Sequence, residues 1–240
     1  MKVDKTPNYT QFTSRCNPIK PFKFKTSVGE LNVFEPTTEV VRSQEFADEI
    51  VDFFFNNFTK DTADPAWLRF QRLEHQDLFK RFKKDYAEEV HQLILNDDGH
   101  TTFLTARDKN NKLCGAIMSH GLDEIPFMQK IVMYIANIAT DSQYRHSGLG
   151  KILMEKAIDA DKKYFTDVFL VGEKMAQGFY EKTGFDTLKE NNHSQRKIMK
   201  YMKSMRFDYP EYVDLFTKPI QADRPRWYDI AATIINKIDI

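Results

Sequence analysis

The fold is decided at residues 131–153, which read IVMYIANIATDSQYRHSGLGKIL. Residues 131–140 are apolar enough to form a central strand of a sheet. From Gly148 onward, apolar residues recur at helical spacing, at Leu149, Ile152 and Leu153. A second buried strand is predicted behind this helix, at residues 167–171. The sequence therefore predicts a strand, a glycine-containing turn, a helix and another strand in succession.

Shorter elements are predicted on both sides of this unit. Before it come a short strand at 31–34, two amphipathic helices that begin near Phe46 and Phe79, and a hairpin formed by 101–106 and 113–120. After it come a short helix at 175–182 and a closing hairpin at 185–188 and 196–202. This order predicts an α/β (α+β) fold in which helices flank a mixed sheet.

The chain length favours one domain with a single sizeable core, because 240 residues are enough to bury one. Residues 1–30 are polar and basic without sustained periodicity, which is typical of a flanking arm. Residues 31–206 are predicted to form the domain. Residues 207–240 form a C-terminal extension that is expected to pack on the domain or on a second subunit.

Charge and composition exclude several classes of protein. The chain carries 35 basic and 35 acidic residues, so no overall field attracts nucleic acid or an anionic membrane. The two cysteines, Cys16 and Cys114, are too few for a disulfide scaffold and indicate a reducing compartment. No run approaches the about 20 apolar residues of a membrane helix, and residues 1–7 contain no apolar stretch of the kind that a signal peptide carries. We therefore expect a cytoplasmic protein, monomeric or homodimeric, with no nucleic-acid or membrane partner.

The glycine turn is the strongest functional signal in the sequence. Main-chain amides at the start of a helix lack intrahelical partners and lie at the positive end of the helix dipole. Gly148 and Gly150 allow an anion to approach the backbone, and Arg145 adds a donor for phosphate oxygens. A tight turn whose glycines serve packing alone is the alternative. The motifs of P-loop nucleotide hydrolases, dinucleotide oxidoreductases and zinc enzymes are absent from the sequence.

Two segments carry a resemblance to a known superfamily. Residues 138–153, IATDSQYRHSGLGKIL, resemble the acetyl-CoA motif of the GCN5-related N-acetyltransferase (GNAT) superfamily, and residues 176–185, AQGFYEKTGF, are similar to its A-x-x-x-Y-x-x-x-G-F element. The resemblance implies a mostly antiparallel sheet splayed between its fourth and fifth strands, counted from residue 31. It implies acetyl-CoA as the cofactor, bound through Ile138, Ala139, Thr140, Arg145, His146, Ser147, Gly148, Leu149, Gly150 and Lys151. One departure is Glu173, where the superfamily often has asparagine.

The resemblance also implies catalytic roles. Tyr180 corresponds to the residue that often protonates the departing CoA sulfur, and a main-chain N–H near Ile138 would stabilise the oxyanion. Asp64 lies before a proline in a segment that resembles animal arylalkylamine N-acetyltransferases, which makes it a candidate base. His120 is a second candidate base, because imidazole titrates near neutral pH. A turn-forming Asp64 and a structural His120 are the alternatives; no metal site is expected.

The function predicted from the sequence is acetyl-CoA-dependent N-acetyl transfer to a primary amine, directly within a ternary complex. A small-molecule acceptor, an arylalkylamine or a polyamine, is favoured. A protein lysine or an N-terminal amine is one alternative acceptor. A CoA-binding or interaction module that has lost turnover is another alternative, although the glycine turn and Tyr180 together favour an enzyme.

Overall fold

The computed structural model describes residues 19–59, 80, 83–84, 87–88, 90–91, 94, 101–122, 131–161, 165–172, 176–190 and 197–201. Its strands are β1 (Phe22–Lys25), β2 (Glu30–Phe34), β3 (Thr101–Arg107), β4 (Leu113–Leu122), β5 (Ile131–Thr140), β6 (Phe165–Gly172), β7 (Phe185–Glu190) and β8 (Lys197–Tyr201). Its helices are α1 (Thr38–Val41), α2 (Gln44–Thr59), α3 (Leu149–Asp161) and α4 (Gln177–Lys182), with a 3₁₀ turn at Ser142–Tyr144.

All of these strands belong to one eight-stranded sheet, in the order β1-β2-β3-β4-β5-β6-β8-β7. Neighbouring strands are antiparallel except β5 and β6, which are parallel and are connected through α3. The mixed, mostly antiparallel sheet predicted from the sequence is therefore confirmed. Among the described residues, no helix combines the length and apolar character needed to cross a bilayer.

Strand β1 lies inside the segment that the sequence analysis treats as a flanking arm. It pairs antiparallel with β2, from Phe22 opposite Val33 to Lys25 opposite Glu30. Four residues with alternating Phe and Lys are too short a pattern to separate a strand from a polar arm. The sheet consequently begins at Phe22 rather than at Leu31, while residues 1–18 and the extension at 207–240 lie outside the described residues.

The hairpin of β3 and β4 is held by a side chain in its turn. Asp108 Oδ1 accepts hydrogen bonds from the amides of Asn110 and Lys112, each at 2.9 Å. Asn111 adopts the left-handed conformation, with φ 63°, which asparagine tolerates better than most residues. The polar cluster between the two apolar runs therefore forms the predicted turn.

Helix α2 covers one face of the sheet. Ser43 Oγ accepts from the amide of Phe46 at 3.2 Å, which satisfies an amide at the helix start. The buried face of α2 includes Ile50 and Phe54, both fully buried, and the ring of Phe46 meets the ring of Phe103 edge-on at 5.2 Å. The described residues between 80 and 94 are also helical, and Val90 and Ile94 join this core. The first predicted amphipathic helix is therefore confirmed. Of the apolar face predicted for the second, Val90 is described, whereas Phe79, Phe82, Tyr86 and Leu93 lie outside the described residues.

Helices α3 and α4 cover the opposite face. The buried residues of α3 are Leu149, Leu153, Met154, Ala157 and Ile158. They pack with sheet residues that include Leu104, Ile117 and Met133. Tyr180 of α4 belongs to the same cluster. The sheet therefore lies between two helical layers, and the glycine turn enters the layer formed by α3 and α4.

Strands β5 and β6 separate halfway along β5. Their parallel pairing runs from Ile131 opposite Phe165 to Ile135 opposite Leu170. Beyond Ile135, β5 pairs with β4, and the end of β6 pairs with β8. A bulge accompanies the separation, because Ser119 lies opposite Ile135 whereas Met118 lies opposite Asn137. The splay predicted between the fourth and fifth strands from residue 31 is confirmed between β5 and β6.

Candidate active site

The connection between β5 and α3 is a tightly bonded turn. Asp141 N donates to Cys114 O at 2.8 Å, and Asp141 Oδ1 accepts from Gln143 N at 3.2 Å. Ser147 Oγ donates to Tyr144 O at 2.5 Å and accepts from Leu149 N at 3.4 Å. The turn is therefore fixed by its own hydrogen bonds before any ligand binds.

Main-chain donors remain available where this turn becomes a helix. The first hydrogen bond from an amide to the carbonyl four residues earlier runs from Ile152 N to Gly148 O, at 3.0 Å. Within the described part of the chain, the amides of Gly148, Gly150 and Lys151 donate to no protein acceptor. These amides lie at the positive end of the α3 dipole, which favours an anion.

Gly148 is required by the backbone of this turn. Its φ is 85°, a left-handed value that side chains with a Cβ rarely adopt, and it is exposed. His146 also has a positive φ, 58°, and is exposed. A residue with a side chain at Gly148 would strain the backbone beside the available amides.

Arg145 connects the turn to helix α2. Its Nη2 donates to Asn57 O at 3.4 Å, so the guanidinium lies near the C-terminal end of α2, where the helix dipole is negative. Partial burial lowers the pKa of the Arg145 guanidinium from its usual value. The group still carries its charge at neutral pH. Arg145 therefore adds a positive charge at the turn and ties it to the opposite helical layer.

The opening between β5 and β6 meets the helix start at Gly150. A Cβ built on Gly150 would lie 3.4 Å from the ring of Phe179 and 3.8 Å from the methyl group of Thr140. The end of β5, the first turn of α3 and helix α4 thus converge at this point. Ile138, Ala139 and Thr140 occupy the part of β5 beyond its pairing with β6.

Tyr180 borders the same opening from the side of β6. Its side chain is buried, and its ring carbon Cδ2 lies 3.3 Å from the position of a Cβ on Gly172, the last residue of β6. Gln177 Nε2 donates to Gly172 O at 3.3 Å, which joins α4 to the end of β6. The rings of Phe179 and Phe185 contact Tyr180 edge-on at 5.3 and 6.1 Å. The phenol is therefore held in a fixed orientation.

His120 lies on the face of the sheet that α2 covers. It is opposite Thr101 on β3 and Tyr134 on β5. A hydrogen bond of 2.8 Å joins its Nδ1 to Thr101 Oγ1, and its side chain is buried. Tyr134 directly precedes Ile135, where β5 leaves β6. His120 is consequently one strand away from the opening, and Tyr180 is at its border.

The structure brings the predicted cofactor residues together, from Ile138 to Lys151, around one opening and one helix start. Asp64 and Glu173 lie outside the described residues, as do the segments at 60–79 and 123–130. The described residues contain no group of three or more His, Cys, Asp or Glu side chains that could hold a metal ion. Sequence reasoning missed Phe24 of β1, whose ring lies 3.8 Å from the position of a Cβ on Gly148.

Comparisons with known proteins concern the family profile and the fold. The profile of the Acetyltransferase (GNAT) family matches residues 67–185. The fold is similar to that of PH1933 from Pyrococcus horikoshii OT3, with a TM-score of 0.51 and 18% identity over 71% of this chain and 96% of that chain. It is also similar to a GNAT-family acetyltransferase from Staphylococcus aureus Mu50, with a TM-score of 0.48 and 17% identity over 71% and 97% of the two chains. The curated proteins include no significant match. The structural likenesses describe the fold alone.

Proposed function

We propose that this chain is an acetyltransferase of the GNAT family, whose profile matches residues 67–185, and that it transfers the acetyl group of acetyl-CoA to a primary amine of a small molecule. One observation carries the proposal: the opening between β5 and β6 lies directly beside a helix start with available amides. Such a pair of features suits an elongated ligand that has a diphosphate at one end and a reactive group further along.

The residues of the turn fit the diphosphate of CoA. The amides of Gly148, Gly150 and Lys151 are available as donors, and Gly148 has no Cβ to keep a phosphate away from them. Arg145 supplies a permanent positive charge. The strand end from Ile138 to Thr140, which lies beyond the pairing of β5 with β6, would hold the pantetheine arm through its main chain.

The chemistry needs few groups, because acetyl-CoA supplies an acetyl group already activated as a thioester. Tyr180 Oη would donate a proton to the departing sulfur. A main-chain N–H near Ile138 would stabilise the oxyanion of the tetrahedral intermediate. A base must take the proton lost by the attacking amine, and His120 and Asp64 are the candidates. His120 is held by Thr101 one strand from the opening.

The preference for a small amine is supported by sequence. Residues 47–65 resemble the first helix and the acidic-proline segment of arylalkylamine N-acetyltransferases, and residues 47–59 form most of α2. We expect the acceptor to contact two segments, 59–70 and 121–130. The loops in these segments would therefore determine which class of amine is accepted. A lysine side chain or N-terminus of a protein is the competing acceptor, and both classes can be tested in one assay.

The experiment measures CoA release from acetyl-CoA across a panel of arylalkylamines, polyamines, lysine peptides and peptides with free N-termini. We expect the fastest turnover with a small amine. Fastest turnover with a peptide would show that the acceptor is an amine of a protein rather than of a small molecule. Tight acetyl-CoA binding without turnover of any acceptor would favour a non-catalytic module, and failure to bind acetyl-CoA would overturn the proposal.

A Tyr180→Phe variant tests the role of the phenol. It retains the ring that packs on Gly172 and removes only the proton donor, so we expect a kcat roughly a hundredfold lower with little change in acetyl-CoA affinity. Tyr144→Phe is the matched control. Tyr144 is buried in the same core cluster as Tyr180, but its hydroxyl group interacts with Cys114. Equal rates for wild type and Tyr180→Phe would remove Tyr180 from the mechanism.

A further inference from the structure

Strand β1 places two phenylalanines alongside helix α3. Phe22 and Phe24 are half-buried and pack against the core that contains α3, whereas Lys23 and Lys25 are exposed. Lys156 Nζ lies 5.6 Å from the centre of the Phe22 ring, so Phe22 lies beside the middle of α3. Phe24 lies beside the start of α3, where its Cζ is 3.8 Å from the position of a Cβ on Gly148.

The two glycines of the turn have different neighbours. Gly150 faces Phe179 and Thr140, at the opening between β5 and β6. Gly148 faces Phe24 of β1. Strand β1 is an edge of the sheet and lies on the opposite side of β4 from β5 and β6. A molecule that extends from the opening across the available amides therefore reaches Phe24 after it passes the diphosphate site.

We propose that Phe24 binds the adenosine end of CoA and contributes to the choice of a nucleotide-bearing acyl donor. This inference rests on the proposed function, because it assumes that the diphosphate lies on the α3 start. The chemistry fits the position: next to its diphosphate CoA carries a nucleoside with a purine ring, and a purine stacks on an aromatic side chain. Phe24 is half-buried, so part of its ring remains accessible to such a contact.

Phe24 would thereby give a ligand-binding role to β1, a strand that the sequence pattern does not predict. The ring packs against the core. Its backbone is fixed because β1 pairs with β2, where Phe24 lies opposite Leu31. A ring fixed in this way loses little freedom when a base stacks on it, which favours binding. The pantetheine arm would lie on the side of Gly150 that Thr140 and Phe179 border, so its binding should not depend on Phe24.

The test uses titration calorimetry with CoA, 3′,5′-ADP and S-acetylpantetheine. Phe24→Leu keeps an apolar side chain and removes the aromatic face, so we expect the affinities for CoA and 3′,5′-ADP to fall about fivefold to thirtyfold. The affinity for S-acetylpantetheine should not change. Phe24→Tyr retains the ring and should bind all three ligands as the wild type does. Melting curves without ligand establish that each variant is folded.

Phe22→Leu is the matched control, because Phe22 lies on the same strand and faces the same helix but meets Lys156. It should leave the affinity for 3′,5′-ADP unchanged. Equal losses in Phe22→Leu and Phe24→Leu, or unchanged CoA affinity in Phe24→Leu, would overturn the role of Phe24 while leaving the proposed function intact. A wild-type protein that binds no CoA would instead refute the proposed function.

Discussion

Replacement of Gly148 by alanine separates an anion site from a merely structural turn. Gly148 has φ 85°, and the nearest atom to an added Cβ is Phe24 Cζ at 3.8 Å, an ordinary contact distance. The methyl group therefore meets no steric clash, and the cost to stability comes from the backbone. A left-handed residue with a Cβ costs about 1–2 kcal/mol. We expect Gly148→Ala to lower the free energy of unfolding by that amount.

The expected effect on cofactor affinity is larger. A strained or shifted backbone at Gly148 moves its available amide, and the new methyl group lies beside that amide at an exposed position. A hydrogen bond to a charged group contributes about 1.5–3 kcal/mol. The affinity for CoA should consequently fall by a factor of about 10 to 150. Gly148→Val, with a larger and branched side chain, should lose more.

Gly184→Ala is the matched control. Gly184 has φ 101° and follows α4, so alanine strains the backbone there as well, away from the amides of the turn. Chemical denaturation gives the stability of both variants, and calorimetry gives their CoA affinity. Gly184→Ala should lose stability and retain CoA binding. If the two variants lose CoA affinity to the same extent as they lose stability, the turn serves packing alone and the anion site is refuted.

Three further predictions concern other parts of the structure. Gly172→Ala places a Cβ 2.8 Å from Met199 Sδ and 3.3 Å from the Tyr180 ring, so Tyr180 must shift; we expect a lower kcat with a smaller change in KM for acetyl-CoA. Glu49→Gln removes the negative charge and one of the two oxygens that accept from Arg107, whose side chain is 10% exposed against 38% for Glu49. The loss in unfolding free energy should be about 1–3 kcal/mol, between the values for surface and buried pairs. Burial raises the pKa of Tyr144 from 10.0 to about 12, so the unfolded chain loses this proton at a lower pH than the folded protein does. The stability of the wild type should therefore fall relative to that of Tyr144→Phe as the pH rises from 10 to 12.

Each of these predictions has a result that contradicts it. An unchanged kcat in Gly172→Ala would mean that the position of Tyr180 does not matter for turnover. For Glu49→Gln, the control is Glu30→Gln in the exposed pair with Lys23, where we expect no measurable loss; equal effects would show that the Arg107 pair contributes no more than a surface contact. A constant stability difference between wild type and Tyr144→Phe across the alkaline range would contradict the burial effect.

The elements that the sequence predicts well are those encoded by neighbouring residues. Asp108 and Asn111 determine their turn through bonds to the adjacent backbone, and the apolar residues of α2 recur on one helical face. The glycine turn belongs to the same class, since Ser147 and Gly148 set its conformation locally. The positions of strands, helices and cofactor-binding candidates could therefore be predicted from short segments.

The features that sequence reasoning missed depend on distant partners. Phe24 becomes part of the α3 layer only because β1 pairs with β2 and brings its ring to Gly148. Arg107 is separated by 58 residues from its partner Glu49, and no local pattern connects them. His120 is a candidate base in the sequence, but the sequence does not reveal its neighbours, because Thr101 and Tyr134 lie opposite it on two other strands.

The opening at the proposed site follows from a break within β5 in the alternation of residues that face the core beneath α3. Met133 and Ile135 belong to the core of the α3 layer, as strict alternation requires, and Ile138 packs against that same core although it lies three residues after Ile135. One extra residue must therefore lie between them, and the register shift opposite Met118 and Ser119 places it there. A bulge bends its strand and increases the local twist, which explains why β5 leaves β6 after Ile135. The predicted central strand thus contains the break that leaves its main-chain groups beyond the pairing with β6 and beside the α3 start. The proposed site depends on the spacing of Ile135 and Ile138 as much as on the glycines.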